Sequence, residues 1–214
     1  MSDILERIAE LRLVPMVVMD KAERAGPFAD ALVEGGLPVA EITFRTPAAE
    51  AAIRALAKRG DLLVGAGTVL STQQADRAID AGAQFIVAPG TNPAVVEHVV
   101  TRGIVMCPGI ATPSEIELAM SLGITTMKFF PAETLGGVAM LKALAGPYSD
   151  VRFVPTGGIT PELLPNYLQL SSVVACGGSW LAPRQFLAEG KFEAIGRLIE
   201  EARKILGGPP EVAT

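Results

Sequence analysis

Lys128 is the residue whose surroundings point most directly to a chemical role. It lies in an otherwise apolar, strand-like run, residues 125–129. Lysine is almost never fully buried without a partner. Burial and a neighbouring cation both favour the neutral amine, which is nucleophilic. We therefore expect Lys128 to attack a carbonyl carbon and form an imine. The alternative is a lysine whose side chain follows the strand end out to solvent.

An acid and a cation lie close together in and after a second apolar run, residues 39–43. Glu41 lies within this run, and Arg45 follows it by two residues. If the strand alternates regularly, Glu41, Thr43 and Arg45 share one face. A face directed into the protein interior would make Glu41 a general acid/base and Arg45 a bidentate partner for a carboxylate. The alternative is a structural Glu41–Arg45 ion pair that bridges strands.

Glycine-rich segments follow the last two predicted strands, where backbone N–H groups could approach an anion. They are Thr156-Gly157-Gly158 and Gly177-Gly178-Ser179. In barrels of parallel strands, the loops after strands 7 and 8 form a recurring phosphate site. The residues at the other strand exits, Thr68, Pro89 and Phe130, are expected to line the same pocket, together with Thr156.

Eight short apolar runs alternate with helix-period segments and position these residues. Their spacing predicts an α/β protein, a (β/α)8 TIM barrel, with the site at the carboxyl ends of the strands. We expect a single domain over residues 1–214, with a disordered tail from about residue 207. The runs are residues 13–19, 39–43, 62–66, 85–88, 104–107, 125–129, 151–154 and 173–176.

Composition excludes several other classes of function. The 214 residues carry a net charge of -5 without a basic cluster, so a nucleic-acid partner is not expected. No apolar segment is long enough for a membrane span or a signal peptide. Cys107 and Cys176 lie in apolar runs and His98 lies on a helix, so neither a metal site nor a cofactor is expected. A soluble cytoplasmic protein follows.

The chemical residues lie in motifs that resemble those of the 2-keto-3-deoxy-6-phosphogluconate (KDPG) and 4-hydroxy-2-oxoglutarate (KHG) aldolases. The similarity runs in order through nearly the whole chain, and Met16 and Thr91-Asn92 depart from the family's pattern. The motifs are Glu41-Ile42-Thr43-Phe44-Arg45-Thr46, Val64-Gly65-Ala66-Gly67-Thr68-Val69, Lys128-Phe129-Phe130-Pro131-Ala132-Glu133, Val154-Pro155-Thr156-Gly157-Gly158-Ile159 and Gly177-Gly178-Ser179-Trp180.

The resemblance implies a class I aldolase, a homotrimer that acts on a small 2-keto acid. It implies that Lys128 is the Schiff-base lysine and Glu41 the acid/base. Arg45 and Thr68 would bind the pyruvyl carboxylate, with Pro89 and Phe130 lining the site. Gly157, Gly158 and Ser179 would bind phosphate. The implied reaction cleaves KDPG to pyruvate and glyceraldehyde 3-phosphate, and 4-hydroxy-2-oxoglutarate is a second implied substrate.

Two other functions are compatible with the residues. A phosphate-binding barrel isomerase or epimerase would use the glycine-rich loops and leave Lys128 as an electrostatic group. A non-enzymatic oligomeric scaffold would keep only the rigid barrel. Trapping of an imine separates the first from an aldolase, and release of pyruvate separates the second.

Overall fold

The structure is a computed structural model that describes residues 2–207. The expected C-terminal tail therefore lies outside the described residues. Along the described chain, short buried strands alternate with helices, and all strand pairs are parallel. Parallel strands covered by helices bury both faces, which explains why the strand segments are continuously apolar.

The strands form two parallel sheets. A six-stranded sheet has the order β5-β4-β3-β2-β1-β9, and a three-stranded sheet has the order β6-β7-β8. The strands are β1 (Leu13–Val17), β2 (Val39–Thr43), β3 (Leu63–Gly67), β4 (Phe85–Val87), β5 (Val105–Cys107), β6 (Gly109–Ile110), β7 (Thr126–Phe129), β8 (Arg152–Pro155) and β9 (Cys176–Gly178).

The parallel α/β architecture that the sequence predicted is confirmed, but the pairing is less continuous than one eight-stranded ring. The fifth predicted strand, residues 104–107, is β5; Pro108, which has no N–H to donate, separates it from a further short strand, β6, that the sequence did not predict. Between β8 and β9 only the isolated bridges Phe153↔Val173 and Thr156↔Gly177 occur. The described pairing is therefore a six-stranded and a three-stranded sheet, joined by these bridges.

The last strand lies further along the chain than predicted. The apolar run 173–176 suggested a strand there, whereas β9 spans Cys176–Gly178. Val173 forms only the isolated bridge to Phe153, and Ala175 is buried outside the ladder. Apolar character reports burial and does not by itself set where a continuous strand begins. As a result, Gly177 and Gly178 belong to the strand itself, and only Ser179 follows it.

The helices surround the sheets, and α1 is placed to close one end of the interior, where its Leu5 and Ile8 line a cavity inside the strands. The predicted amphipathic segment at the C-terminus forms α10, which turns Ile195, Ile199 and Ala202 inward. The helices are α1 (Ser2–Leu11), α2 (Ala25–Glu34), α3 (Ala49–Ala57), α4 (Thr72–Asp80), α5 (Pro93–Thr101), α6 (Pro113–Ser121), α7 (Gly137–Ala145), α8 (Leu164–Leu168), α9 (Arg184–Glu189) and α10 (Phe192–Ile205).

Local signals in the sequence explain several helix starts. Thr112 caps α6 in a complete capping box with Glu115, and Pro113 occupies the first turn. Asn92 caps α5 in the same way through Ala94 N–H. Among residues 2–207, no helix combines the length and apolar character needed to cross a bilayer.

Candidate active site

Lys128 and Glu41 meet inside the strands. Lys128 Nζ donates to Glu41 Oε1 over 3.3 Å. Both side chains are buried, with the residues only 6% and 4% exposed. Lys128 comes from β7 and Glu41 from β2, which belong to different sheets. The expectation that both point inward is met, and the lysine does not extend to solvent.

Glycines in β3 make room for the Glu41 carboxyl group. A Cβ atom at Gly67 would lie 2.0 Å from Glu41 Oε1 and 2.7 Å from its carboxyl carbon. A Cβ atom at Gly65 would similarly lie 2.2 Å from the Phe85 ring. Glycine within a strand often marks such a close approach. From the sequence these glycines were noted within a motif shared with the aldolases, and this role was missed; their i, i+2 spacing inside an apolar run was the available signal.

The interior around the pair is small and largely apolar. A cavity of about 30 Å³ is bounded by Glu41, Lys128 and Thr156 on its polar side. Cys107 also lines it, and burial raises the pKa of this thiol to about 12. A cavity of this size can hold about one water molecule. The pair therefore lies in a space from which bulk water is excluded.

Phe130 and Thr156 lie next to the Lys128–Glu41 pair. The centroid of the Phe130 ring is 5.5 Å from Lys128 Nζ, a cation–π distance. Thr156 is buried, and its side chain occupies the space that a Cβ atom at Gly177 would need, 2.3 Å from Thr156 Oγ1. Both residues were expected at the site, and the structure brings both beside Lys128.

Arg45 is placed differently from the sequence expectation. β2 ends at Thr43, so the strand alternation does not continue to Arg45, which lies exposed in the following turn. Glu41 pairs with Lys128 and not with Arg45, which rules out the Glu41–Arg45 structural pair. Within the described part of the chain Arg45 forms no ion pair, so its guanidinium at the carboxyl end of β2 is available to an anion.

Thr68 and Pro89 lie at the carboxyl ends of β3 and β4. Thr68 is half-buried and has a left-handed backbone, with φ at 56°. A non-glycine residue rarely adopts this conformation, which costs roughly 1–3 kcal/mol and concentrates at functional sites. The carbonyl of Pro89 packs against Gly109, where a Cβ atom would lie 2.1 Å from its oxygen.

The loop after β8 has the geometry of an anion site. Gly157 and Gly158 have φ values of 106° and 80°, which only glycine adopts readily. The Thr156 and Gly157 carbonyls accept from Ala132 N–H and Glu133 N–H over 2.9 and 3.0 Å. These two bonds hold the loop against the segment that follows β7, and the left-handed backbone at two successive glycines leaves no Cβ atom to block the approach of an anion.

The segment after β9 agrees with the expectation only in part. Ser179 is exposed and begins a short 3-10 helix, Ser179–Leu181. Gly178 is buried in the strand, and a Cβ atom there would approach Leu181 and Trp180 at 3.1 and 3.2 Å. The Cα of Gly178 therefore faces the helix layer, whereas the Ser179 hydroxyl remains at the strand exit.

Other ionisable contacts include the hydrogen bond from the Tyr167 hydroxyl to the Glu133 carboxylate and the pair of His98 and Asp76. His98 Nε2 lies 2.8 Å from Asp76 Oδ1 on the outer helices, as expected for a surface histidine. Over the described residues there is no cluster of three or more His, Cys, Asp or Glu side chains with metal-binding geometry.

The chain is similar to proteins of a known family. Residues 4–198 match the KDPG and KHG aldolase family. The chain is 48% identical to the 2-dehydro-3-deoxy-phosphogluconate aldolase of Treponema pallidum, covering 97% of this chain and 99% of the relative. It is 48% identical to the KHG/KDPG aldolase of Escherichia coli, covering 89% of this chain and 90% of the relative.

A solved structure has the same fold and a covalently bound ligand. It is the KDPG aldolase of Legionella pneumophila, with pyruvate captured at low pH as a covalent carbinolamine intermediate. The TM-score is 0.90 at 36% sequence identity, covering 93% of this chain and 97% of that chain.

Proposed function

The chain belongs to the KDPG and KHG aldolase family, and we propose that Lys128 is its Schiff-base lysine and Glu41 its general acid/base. The protein is a lyase that cleaves 2-dehydro-3-deoxy-6-phosphogluconate to pyruvate and glyceraldehyde 3-phosphate. The observation that carries the residue assignment is the buried 3.3 Å contact between Lys128 Nζ and Glu41 Oε1. The covalent pyruvate adduct of the Legionella relative supports an imine mechanism.

Formation of the imine begins at the amine. Glu41 accepts a proton from Lys128, and the neutral nitrogen attacks the C2 carbonyl carbon to give a carbinolamine. Protonation of the C2 oxygen and its loss as water leave an iminium ion. The cavity beside the pair has room for about one water molecule. The proton transfers and the stabilisation of the iminium ion therefore depend on the polar side chains that line it, Glu41, Lys128 and Thr156.

Cleavage uses the iminium ion as an electron sink. Glu41 removes the proton of the C4 hydroxyl, the C3–C4 bond breaks, and its electron pair moves to the iminium nitrogen as an enamine forms. Glyceraldehyde 3-phosphate leaves as the aldehyde. The enamine is protonated at C3, and water hydrolyses the resulting imine to release pyruvate and regenerate the Lys128 amine.

The remaining site residues bind the two charged ends of the substrate. Arg45 and Thr68, with Pro89 and Phe130, form the pyruvyl end, and the unpaired guanidinium of Arg45 supports carboxylate binding. The backbone of Gly157 and Gly158, with Gly178 and the Ser179 hydroxyl, forms the phosphate end. Thr156 lies between the two ends, beside Lys128.

We also propose that the two sheets close into one (β/α)8 barrel and a single domain. The Thr156↔Gly177 bridge and the chain continuity from β5 to β6 support this closure. A homotrimer would use exposed apolar side chains such as Leu70, Leu118 and Met120. Cys107 and Cys176, both buried free thiols, suit the reducing cytoplasm.

The activity is tested by following pyruvate release from KDPG and from 4-hydroxy-2-oxoglutarate, with Lys128→Ala as the control. The wild type should release pyruvate from both, and the variant from neither. No pyruvate from either substrate would instead favour the isomerase or scaffold hypotheses.

A further inference from the structure

We infer that Met16 forms the side wall of the active site that contacts the C4–C5 segment of the substrate, and that it selects among aldol substrates there. This inference rests on the proposed function of Lys128 and Glu41. It is carried by three features of β1: the direction of the Met16 side chain, its exposure, and the position of β1 between the reacting and phosphate-binding ends.

The register of β1 directs Met16 into the interior. Met16 pairs with Glu41 in the parallel ladder, and paired residues of neighbouring strands point to the same face. Val14, two residues earlier, lines the interior cavity and pairs with Gly177. Met16 therefore lies on the same face as Glu41, in the adjacent position around the interior.

Met16 is the most solvent-accessible residue of β1. It is half-buried, whereas the other four residues of Leu13–Val17 are buried. Glu41, its ladder partner, is buried in β2. An inward-facing side chain near the carboxyl end of a strand can be reached only from the mouth of the interior. The exposed part of Met16 is therefore on the side from which substrate enters.

The order of the strands places Met16 along the path of the substrate. β1 lies between β2, which carries Glu41, and β9, which ends at the proposed phosphate segment. In the proposed reaction Glu41 is next to the C4 hydroxyl, and the phosphate on C6 lies beyond β8 and β9. The carbons that connect these two ends therefore run between Thr156, which follows β8, and the β1 wall, where Met16 is the half-buried interior side chain.

The chemistry of methionine fits this position. Its unbranched thioether offers apolar contact to a carbon chain without competing for the hydroxyl proton that Glu41 removes. Apolar contacts of this size discriminate between similar substrates by roughly 10–200-fold. The wall therefore has the capacity to distinguish the C4 configuration and the length of the chain beyond C4.

The test measures kcat/KM of Met16→Ala and Met16→Leu with KDPG, with its C4 epimer and with 4-hydroxy-2-oxoglutarate. Met16→Ala should lower kcat/KM for KDPG by about 10–50-fold and narrow the ratio between the two epimers. The effect on 4-hydroxy-2-oxoglutarate, whose chain ends in a charged carboxylate at C5 and so offers Met16 less apolar contact, should be smaller, no more than about threefold. Met16→Leu should recover most of the lost selectivity. Ile205→Ala, at an exposed apolar residue at the end of α10, is the matched control and should behave as the wild type.

Borohydride trapping with pyruvate distinguishes a failure of the Met16 proposal from a failure of the proposed function. Met16→Ala should still form the pyruvate adduct, because the imine precedes contact with C4. Unchanged ratios among the three substrates in a variant that still forms the adduct would overturn the role of Met16. Absence of the adduct in the wild type would instead overturn the proposed function. If Met16→Ala does not fold, Met16→Val supplies the same comparison with a smaller loss of volume.

Discussion

Glu41 Oε1 and Lys128 Nζ are 3.3 Å apart although the two residues are separated by 87 positions in the chain. Each side chain is inside a strand, and each is the hydrogen-bond partner of the other. Removing one partner of such a buried pair leaves an uncompensated charge, whereas keeping both places a base next to a nucleophile. Variants of the pair and its surroundings therefore distinguish a loss of stability from a loss of proton transfer.

Replacement of Glu41 by glutamine should preserve the contact with Lys128 and remove the base. We expect kcat for KDPG cleavage to fall by roughly 10²–10⁴-fold, the usual contribution of general acid/base catalysis. Pyruvate imine formation should persist at a lower rate. Steady-state kinetics combined with trapping measures both steps, and near-normal turnover would assign the proton transfer to another group.

Gly67→Ala should impair the enzyme through Glu41. The new Cβ atom would overlap the carboxyl group, 2.0 Å from Oε1, and displace it from Lys128. A displacement of about 1 Å can reduce a rate by roughly 10²-fold, so we expect a loss of that order in kcat. Gly26→Ala is the matched control, because a Cβ atom there meets nothing within 4 Å. That change should stabilise α2 by about 0.5–1 kcal/mol and leave turnover unaffected. Equal activity of the two variants would contradict the steric role of Gly67.

Changes at the phosphate end should discriminate between substrates. Ser179→Ala removes a donor at the strand exit and should lower kcat/KM for KDPG by about tenfold, the equivalent of a charged hydrogen bond of about 1.5 kcal/mol. Gly158→Ala should be more damaging, because its Cβ would lie 2.8 Å from Glu133 Cβ at a φ of 80°. Activity on 4-hydroxy-2-oxoglutarate should change little in Ser179→Ala. Parallel losses on both substrates would remove the phosphate assignment.

Both cysteines should be inert in the folded protein. Burial raises the pKa of the Cys107 and Cys176 thiols to about 12. The reactive thiolate is therefore scarce at neutral pH, and reagents have no access to either sulfur. A chromogenic disulfide reagent should label neither thiol in the native protein and both after denaturation. Rapid labelling of Cys107 under native conditions would show that the interior opens.

The strands could be predicted from sequence because burial on both faces makes them continuously apolar. β2, for example, has the predicted bounds of residues 39–43. The last strand was predicted too early in the chain, at residues 173–176, because Val173 forms only an isolated bridge and the continuous strand begins at Cys176. The alternation of β2 was also extended past its end at Thr43 to Arg45, whose role in carboxylate binding stays a prediction. Neither error could be detected from the pattern, since strand ends depend on backbone pairing.

The contacts of the site were less predictable than its residues. Lys128 and Glu41 were identifiable as polar residues in apolar strands, but their mutual distance depends on the closure of the interior. Gly67 went unrecognised because a strand glycine can equally mark a bend or a close approach, and only the position of the Glu41 side chain decides between them.

The central claim, that Lys128 is the Schiff-base nucleophile, is tested most directly by reducing the protein with borohydride in the presence of pyruvate and mapping the modified peptide by mass spectrometry. The account predicts one stable adduct per chain, located on Lys128, and none in Lys128→Ala. An adduct on another lysine, or no adduct in a protein that still releases pyruvate from KDPG, would contradict it.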